Sequence, residues 1–172
     1  MSQTQVERLF IKDRTSLMHD LFRITATVSS TSAANPTTIT ANLERADDTQ
    51  AGHLGTGMSE SSGIFTFPST GIYKITANAQ FLRNNAEILY AGIYIFATGD
   101  NFSSEDYLAS SFGYINNTAS AYQNVVTHAV YDVTDVTNNK VKFKYQSNPG
   151  FYMTADTGAN ATFFLFQKLG DT

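Results

Sequence analysis

The chain has 172 residues, 42% hydrophobic and 13% aromatic, which is enough to bury one sizeable core. Only 15% of residues are charged, while Ser, Thr and Asn supply 50, a mix that excludes both a disordered chain and a coiled coil. The net charge of -4 gives no electrostatic footprint for nucleic acid, and no apolar run reaches the ~20 residues of a membrane helix.

With no Cys, disulfides, thiol catalysis and Cys-based zinc sites are excluded. The first ten residues, MSQTQVERLF, lack a basic region followed by an apolar one, so no secretion signal is visible. Asn101, Asn116 and Asn160 begin sequons, which then read as ordinary strand and turn residues.

Residues 1–20 form a segment unlike the rest. Val6, Leu9 and Phe10 fall at i, i+3 and i+4, with Ile11 following, so one helical turn is predicted. Glu7, Arg8, Lys12, Asp13 and Arg14 crowd the same stretch. Two readings fit: a solvated terminus, or an arm that docks on a particle through Val6, Leu9, Phe10 and Ile11. The domain division is therefore an arm over 1–20 and a β domain over 21–172.

From residue 21 the periodicity is that of strands. Over 21–28, Phe22, Ile24, Ala26 and Val28 share one face. Residues 29–38 are polar and contain Pro36, which predicts a loop, and 39–43 predicts a short strand. Residues 45–60, with Gly52, Gly55 and Gly57, predict an irregular excursion. The clearest strand spans 71–82, where Tyr73, Ile75, Ala77, Ala79 and Phe81 alternate with polar residues.

Residues 88–97 (ILYAGIYIFA) are apolar throughout, as nearly are 160–169. A continuous apolar run predicts burial on both faces. A sandwich strand normally has one wet face, so a neighbouring subunit is the economical cover. Ile88, Tyr90, Ile93, Ile95, Phe164 and Phe166 are assigned to that interface. Further strands are predicted over 121–133 and 140–146, giving eight to ten with no helix after the arm.

The stretch beginning at Ser62, SGIFTFPSTGIYKITANAQF, resembles the signature of C1q-like domains in the C1q/tumour-necrosis-factor jelly-roll superfamily. Ser62-Gly63-Ile64-Phe65 matches its opening. Phe65, five residues, then Gly71-Ile72-Tyr73-Lys74-Ile75 matches the remainder, with Ile75 in place of the last Phe. Residues 129–145 and 161–166 are similar to its penultimate hairpin and closing strand. The core signature is Phe65, Gly71, Tyr73 and Ile75. The resemblance implies an antiparallel two-sheet jelly-roll sandwich, all-β, assembled as a homotrimer and without enzymatic activity.

No catalytic constellation is visible. His19, His53 and His128 form no ligand pair, and no activated-nucleophile motif is present. The glycines at 52, 55 and 57 are not followed by a phosphate-loop Lys-Ser/Thr. Asp47-Asp48, Asp100-Asn101, Glu105-Asp106 and Asp132 with Asp135 read either as solvated turns or as calcium turns. Tyr107, Tyr114 and Tyr122 read either as glycan contacts or as core with a satisfied hydroxyl.

The functional expectation is a non-enzymatic virion structural protein: a homotrimeric capsid decoration protein of a bacteriophage, with no cofactor. Its partners are then the major capsid protein or another virion protein, with no nucleic acid and no membrane. The alternative is a trimeric receptor-binding or tail-tip adhesin for a host surface glycan or protein.

Overall fold

A computed structural model describes residues 17–30, 33–47, 53–83, 87–148 and 150–172. Among them lie thirteen strands and no helix. In chain order they are β1 (Met18–Ile24), β2 (Val28–Ser30), β3 (Ala33–Thr38), β4 (Leu43–Arg45), β5 (Ser59–Ser61), β6 (Ile64–Thr66) and β7 (Gly71–Arg83). Then follow β8 (Ile88–Thr98), β9 (Asp106–Ile115), β10 (Tyr122–Val133), β11 (Lys140–Asn148), β12 (Phe151–Met153) and β13 (Phe163–Gly170).

The strands build two antiparallel sheets packed face to face. In the first, β7 is central: β10 runs along one edge, and β13 and β12 share the other. Beyond β13 come β1 and β4. The second sheet runs β5-β6-β11-β8-β9, with β3 added beside β11. β9 and β10 end their sheets on the same side of the sandwich and lie alongside each other.

Alternation along β7 explains the core. Tyr73, Ile75, Ala77, Ala79 and Phe81 are all fully buried, while the residues between them are half-exposed. Phe65 joins the sheets: its ring lies 5.0 Å from Phe22, 5.1 Å from Phe166 and 5.5 Å from Phe143. Tyr73 packs 4.7 Å from Phe67, and its hydroxyl donates to the Ser69 carbonyl at 3.0 Å. Gly71 has φ +143, and a Cβ there would sit 2.6 Å from the Gly170 carbonyl.

Buried charge is paired. Asp20 is fully buried and accepts from Arg45 Nε at 2.8 Å and Nη2 at 2.9 Å, and from the Met58 backbone N–H at 2.6 Å. Arg23 bridges Glu44 and Asp47 and donates to the Thr157 carbonyl. These pairs tie the irregular 53–58 segment and the 157–160 turn to the first sheet.

Several expectations change here. β1 begins at Met18, so residues 18–20, assigned to the arm, are part of the jelly roll. β1 also ends at Ile24, short of Ala26 and Val28. The polar 29–38 segment contains a strand, β3, despite Pro36, because it pairs on one edge with β11. Ile39 is buried but lies outside a strand, and β4 starts only at Leu43.

Candidate functional site

Two outer sheet faces carry exposed apolar groups. On the first sheet, side chains that point away from the core line up in rows. One row is Leu21, Leu165, Thr76 and His128. The next is Phe163, Asn78 and Val126, and a third is Gln167, Lys74 and Val130. Val126 and Val130 remain 58% and 61% exposed on the free edge strand β10. A single subunit leaves this surface uncovered.

The outer face of the second sheet is different in chemistry. Tyr94 sits at its centre, with ring centroids of Phe112, Tyr107 and Phe96 at 5.3, 5.6 and 5.9 Å. Tyr90 extends the cluster, 6.1 Å from Phe112. Gly92 makes this packing possible. A Cβ there would run into the Phe112 ring and come 2.8 Å from the Ser111 carbonyl.

Charges border these rings. Lys144 Nζ lies 4.2 Å over Phe96, and Lys142 Nζ lies 4.1 Å over Phe102. Both ammonium groups pair with Glu105. Burial alone would raise the Glu105 carboxyl, but the hydrogen bonds and charges of Lys142 and Lys144 outweigh it and hold the pKa below the ordinary value. Burial raises the Tyr94 phenol, with Tyr107 and Tyr90 adding to the effect. The Tyr94 hydroxyl donates to Gln146.

The turn joining β8 to β9 is held by Asp100. Its carboxylate accepts from the Ser104 hydroxyl at 2.6 Å, the Thr98 hydroxyl at 2.6 Å and the Ser104 backbone N–H at 2.9 Å. Hydrogen bonds from Ser104 and then Thr98 lower its pKa from 3.8 to about 2. A depressed folded-state pKa stabilises the turn at pH above the unfolded value, and that stabilisation is lost as pH falls through the folded value. Carboxyl-carbon NMR should therefore give an Asp100 midpoint near 2, with Ser104 amide protection falling in step. A midpoint at the ordinary 3.8 would show that these bonds do not form in solution.

The residues assigned to a subunit interface divide sharply. Ile88, Ile93, Ile95, Phe164 and Phe166 are fully buried inside a single subunit. They pack between the two sheets, so a neighbour cannot reach them. Tyr90 alone of the six lies on an outer face, half-buried. The outward apolar partners in the same strands are Tyr94 and Phe96 in β8, and Phe163 and Leu165 in β13. Val6, Leu9, Phe10 and Ile11 lie outside the described residues. Phe65, Tyr73 and Ile75 are fully buried, and Gly71 lies at the start of β7.

Tyr107, Tyr114 and Tyr122 are all more than half exposed, so they are surface rather than core groups. His128 stands exposed on β10. Among the described residues no cluster of three or more His, Asp or Glu gathers as metal ligands. Asp135, like Asp100, holds its own turn, accepting from the Thr137 N–H and the Asn138 amide.

No protein-family model matches the chain, and no curated protein matches it by sequence. Solved structures do match in shape. Murine APRIL at pH 5.0 superposes with a TM-score of 0.64 at 14% identity, covering 89% of this chain and 99% of that one. The Eiger TNF from S. frugiperda gives a TM-score of 0.65 at 13% identity, covering 91% of this chain and 95% of the other. The fold is a TNF-like jelly roll. At such low identity the likeness establishes architecture, and function has to be argued from the surfaces.

Proposed function

We propose that this chain is a non-enzymatic homotrimer that serves as a structural protein of a virus particle, a head decoration protein of a bacteriophage. The observation that carries the trimer is the mixed outer face of the first sheet, where the partly exposed Leu21, Phe163 and Leu165 lie among Thr76, Asn78, Lys74 and Gln167, with the exposed Val126 and Val130 beyond them. The resemblance to C1q-like domains and the TNF-like shape support it. A ring is the economical closure: one copy's β10 edge meets the next copy's sheet face, and three copies leave neither exposed. The charged and apolar segment 1–16 supports attachment to the major capsid protein or another virion protein, with three arms per trimer adding avidity.

Purified protein mixed with undecorated capsids should be retained on them. Deleting residues 1–13 should leave the melting curve unchanged and abolish retention. A truncated chain that still decorates capsids would place attachment on the β domain instead.

A second reading has its own support. The aromatic face of the second sheet, with its lysines and carboxylate, suits recognition of a host surface. That reading is a trimeric receptor-binding or tail-tip adhesin, and retention on host cells rather than capsids would favour it.

A further inference from the structure

We infer that the outer face of the second sheet is a binding site for an acidic oligosaccharide, a chain of pyranose rings that carries carboxylates. The inference rests on the recognition reading and gives it a ligand class.

The chemistry of the face decides between possible occupants. A protein interface is depleted of Lys and Glu at its centre, because each charge must be desolvated there. Here Lys144 lies over Phe96 of the cluster and Lys142 over Phe102 beside it, with Glu105 paired to both ammonium groups. A hydrated, hydroxyl-rich ligand tolerates such a border. The C–H face of a pyranose ring packs on an aromatic π face, whose negative quadrupole attracts it. Tyr107 and Phe112 offer rings for this, at 56% and 45% exposed, one on each side of Tyr94.

The sign of the charge follows from β11. Lys140, Lys142 and Lys144 alternate along it on the outer face, whereas the chain as a whole carries -4. Glu105 pairs with two of these lysines, and the third donates to the Val136 carbonyl at 2.9 Å. Lys140, Lys142 and Lys144 meet two carboxylates, Glu105 on the face and Glu60 at the cleft, which leaves the stripe with a small positive balance toward an anionic ligand. At about 3.4 Å per residue, Lys140 and Lys144 are ~14 Å apart, a spacing that favours a chain of sugars over a single ring.

The stripe ends at a cleft. Lys140 borders a cavity of about 480 Å³ whose lining includes the Glu60 carboxylate and Ile64 beside Ser59, Ser61 and Thr66. That volume falls in the range of small-molecule sites; its Ser and Thr hydroxyls suit a sugar, and Glu60 favours a neutral ring at that end of an acidic chain. Lys140 links the two: it alternates with Lys142 and Lys144 on the face and lines the cleft.

The test uses the full chain. Sialyllactose and a hyaluronan tetrasaccharide are compared with their neutral counterparts, lactose and a chitin tetrasaccharide, by calorimetry and saturation-transfer NMR. At least one acidic probe should bind at least tenfold tighter than its neutral counterpart. Lys142→Gln/Lys144→Gln and Phe112→Ala should each weaken it at least tenfold, with oligomeric mass unchanged and a cooperative melt showing that each variant is folded at the assay temperature. Three outcomes overturn the inference: neither acidic probe binds at millimolar concentration, neutral and acidic probes bind alike, or Phe112→Ala changes the oligomeric mass. The last would make this face a contact between copies. Host-cell retention read in parallel separates the two claims. Cells held without acidic-sugar binding would keep the recognition reading and reject this ligand.

Discussion

Replacing Phe65 with Ala should destabilise the protein by about 3–5 kcal/mol, the range for truncating a large buried aromatic. Phe65 belongs to β6 in the second sheet, yet it touches Phe22 and Phe166 of the first and Phe143 of its own. Phe143 in turn stacks on Phe164 with ring centroids 4.0 Å apart. Removing the ring leaves a cavity between the sheets that strands anchored on both sides cannot collapse to fill. The loss should be read by chemical denaturation as a lower midpoint at unchanged slope. A change under about 1 kcal/mol would mean that Phe65 does not join the sheets.

Arg45→Met should cost about 3 kcal/mol, because it strands a buried carboxylate. Asp20 is wholly inaccessible, and Arg45 supplies two of the three donors that it accepts from. The variant keeps an unbranched stem of similar reach to the arginine methylenes but removes the guanidinium, and with it the charge and the donors. The double variant Asp20→Asn/Arg45→Met should recover part of the loss, since no ion is then left buried. Equal stability of the single and double variants would show that Asp20 relaxes to solvent when its partner is gone.

How much of this was legible in the residues depends on periodicity. β7 was readable because each core residue alternates with a polar one. The apolar runs of β8 and β13 predicted two covered faces; the structure shows the inner one, and nothing in a continuous run says which alternate residues face inward. The assignment of Ile93, Ile95, Phe164 and Phe166 to a neighbour therefore chose the core-facing set. The outer set, Tyr94 and Phe96 with Phe163 and Leu165, has the same hydrophobic character, and only the sheet pairing tells them apart.

Other features were hidden for different reasons. β3 is polar and holds Pro36, so its strand conformation comes from pairing at an edge of β11. The Asp20–Arg45 pair spans 25 residues and belongs to no motif. The aromatic face was signalled in part by Gly92, a glycine inside an apolar strand, which marks close approach of another group. That group is the Phe112 ring. The lysine alternation of β11 was visible, but its position beside the rings required the β8–β11 register.

The central claim is self-association through the outer face of the first sheet. Multi-angle light scattering of the full chain at micromolar concentration tests it most directly. The wild type should scatter as three times 18.8 kDa, and Leu165→Asp, at a half-buried position on that face, should give a folded species of 18.8 kDa. A wild type that runs as an 18.8 kDa monomer, or a Leu165→Asp variant that keeps the trimer mass, would contradict it.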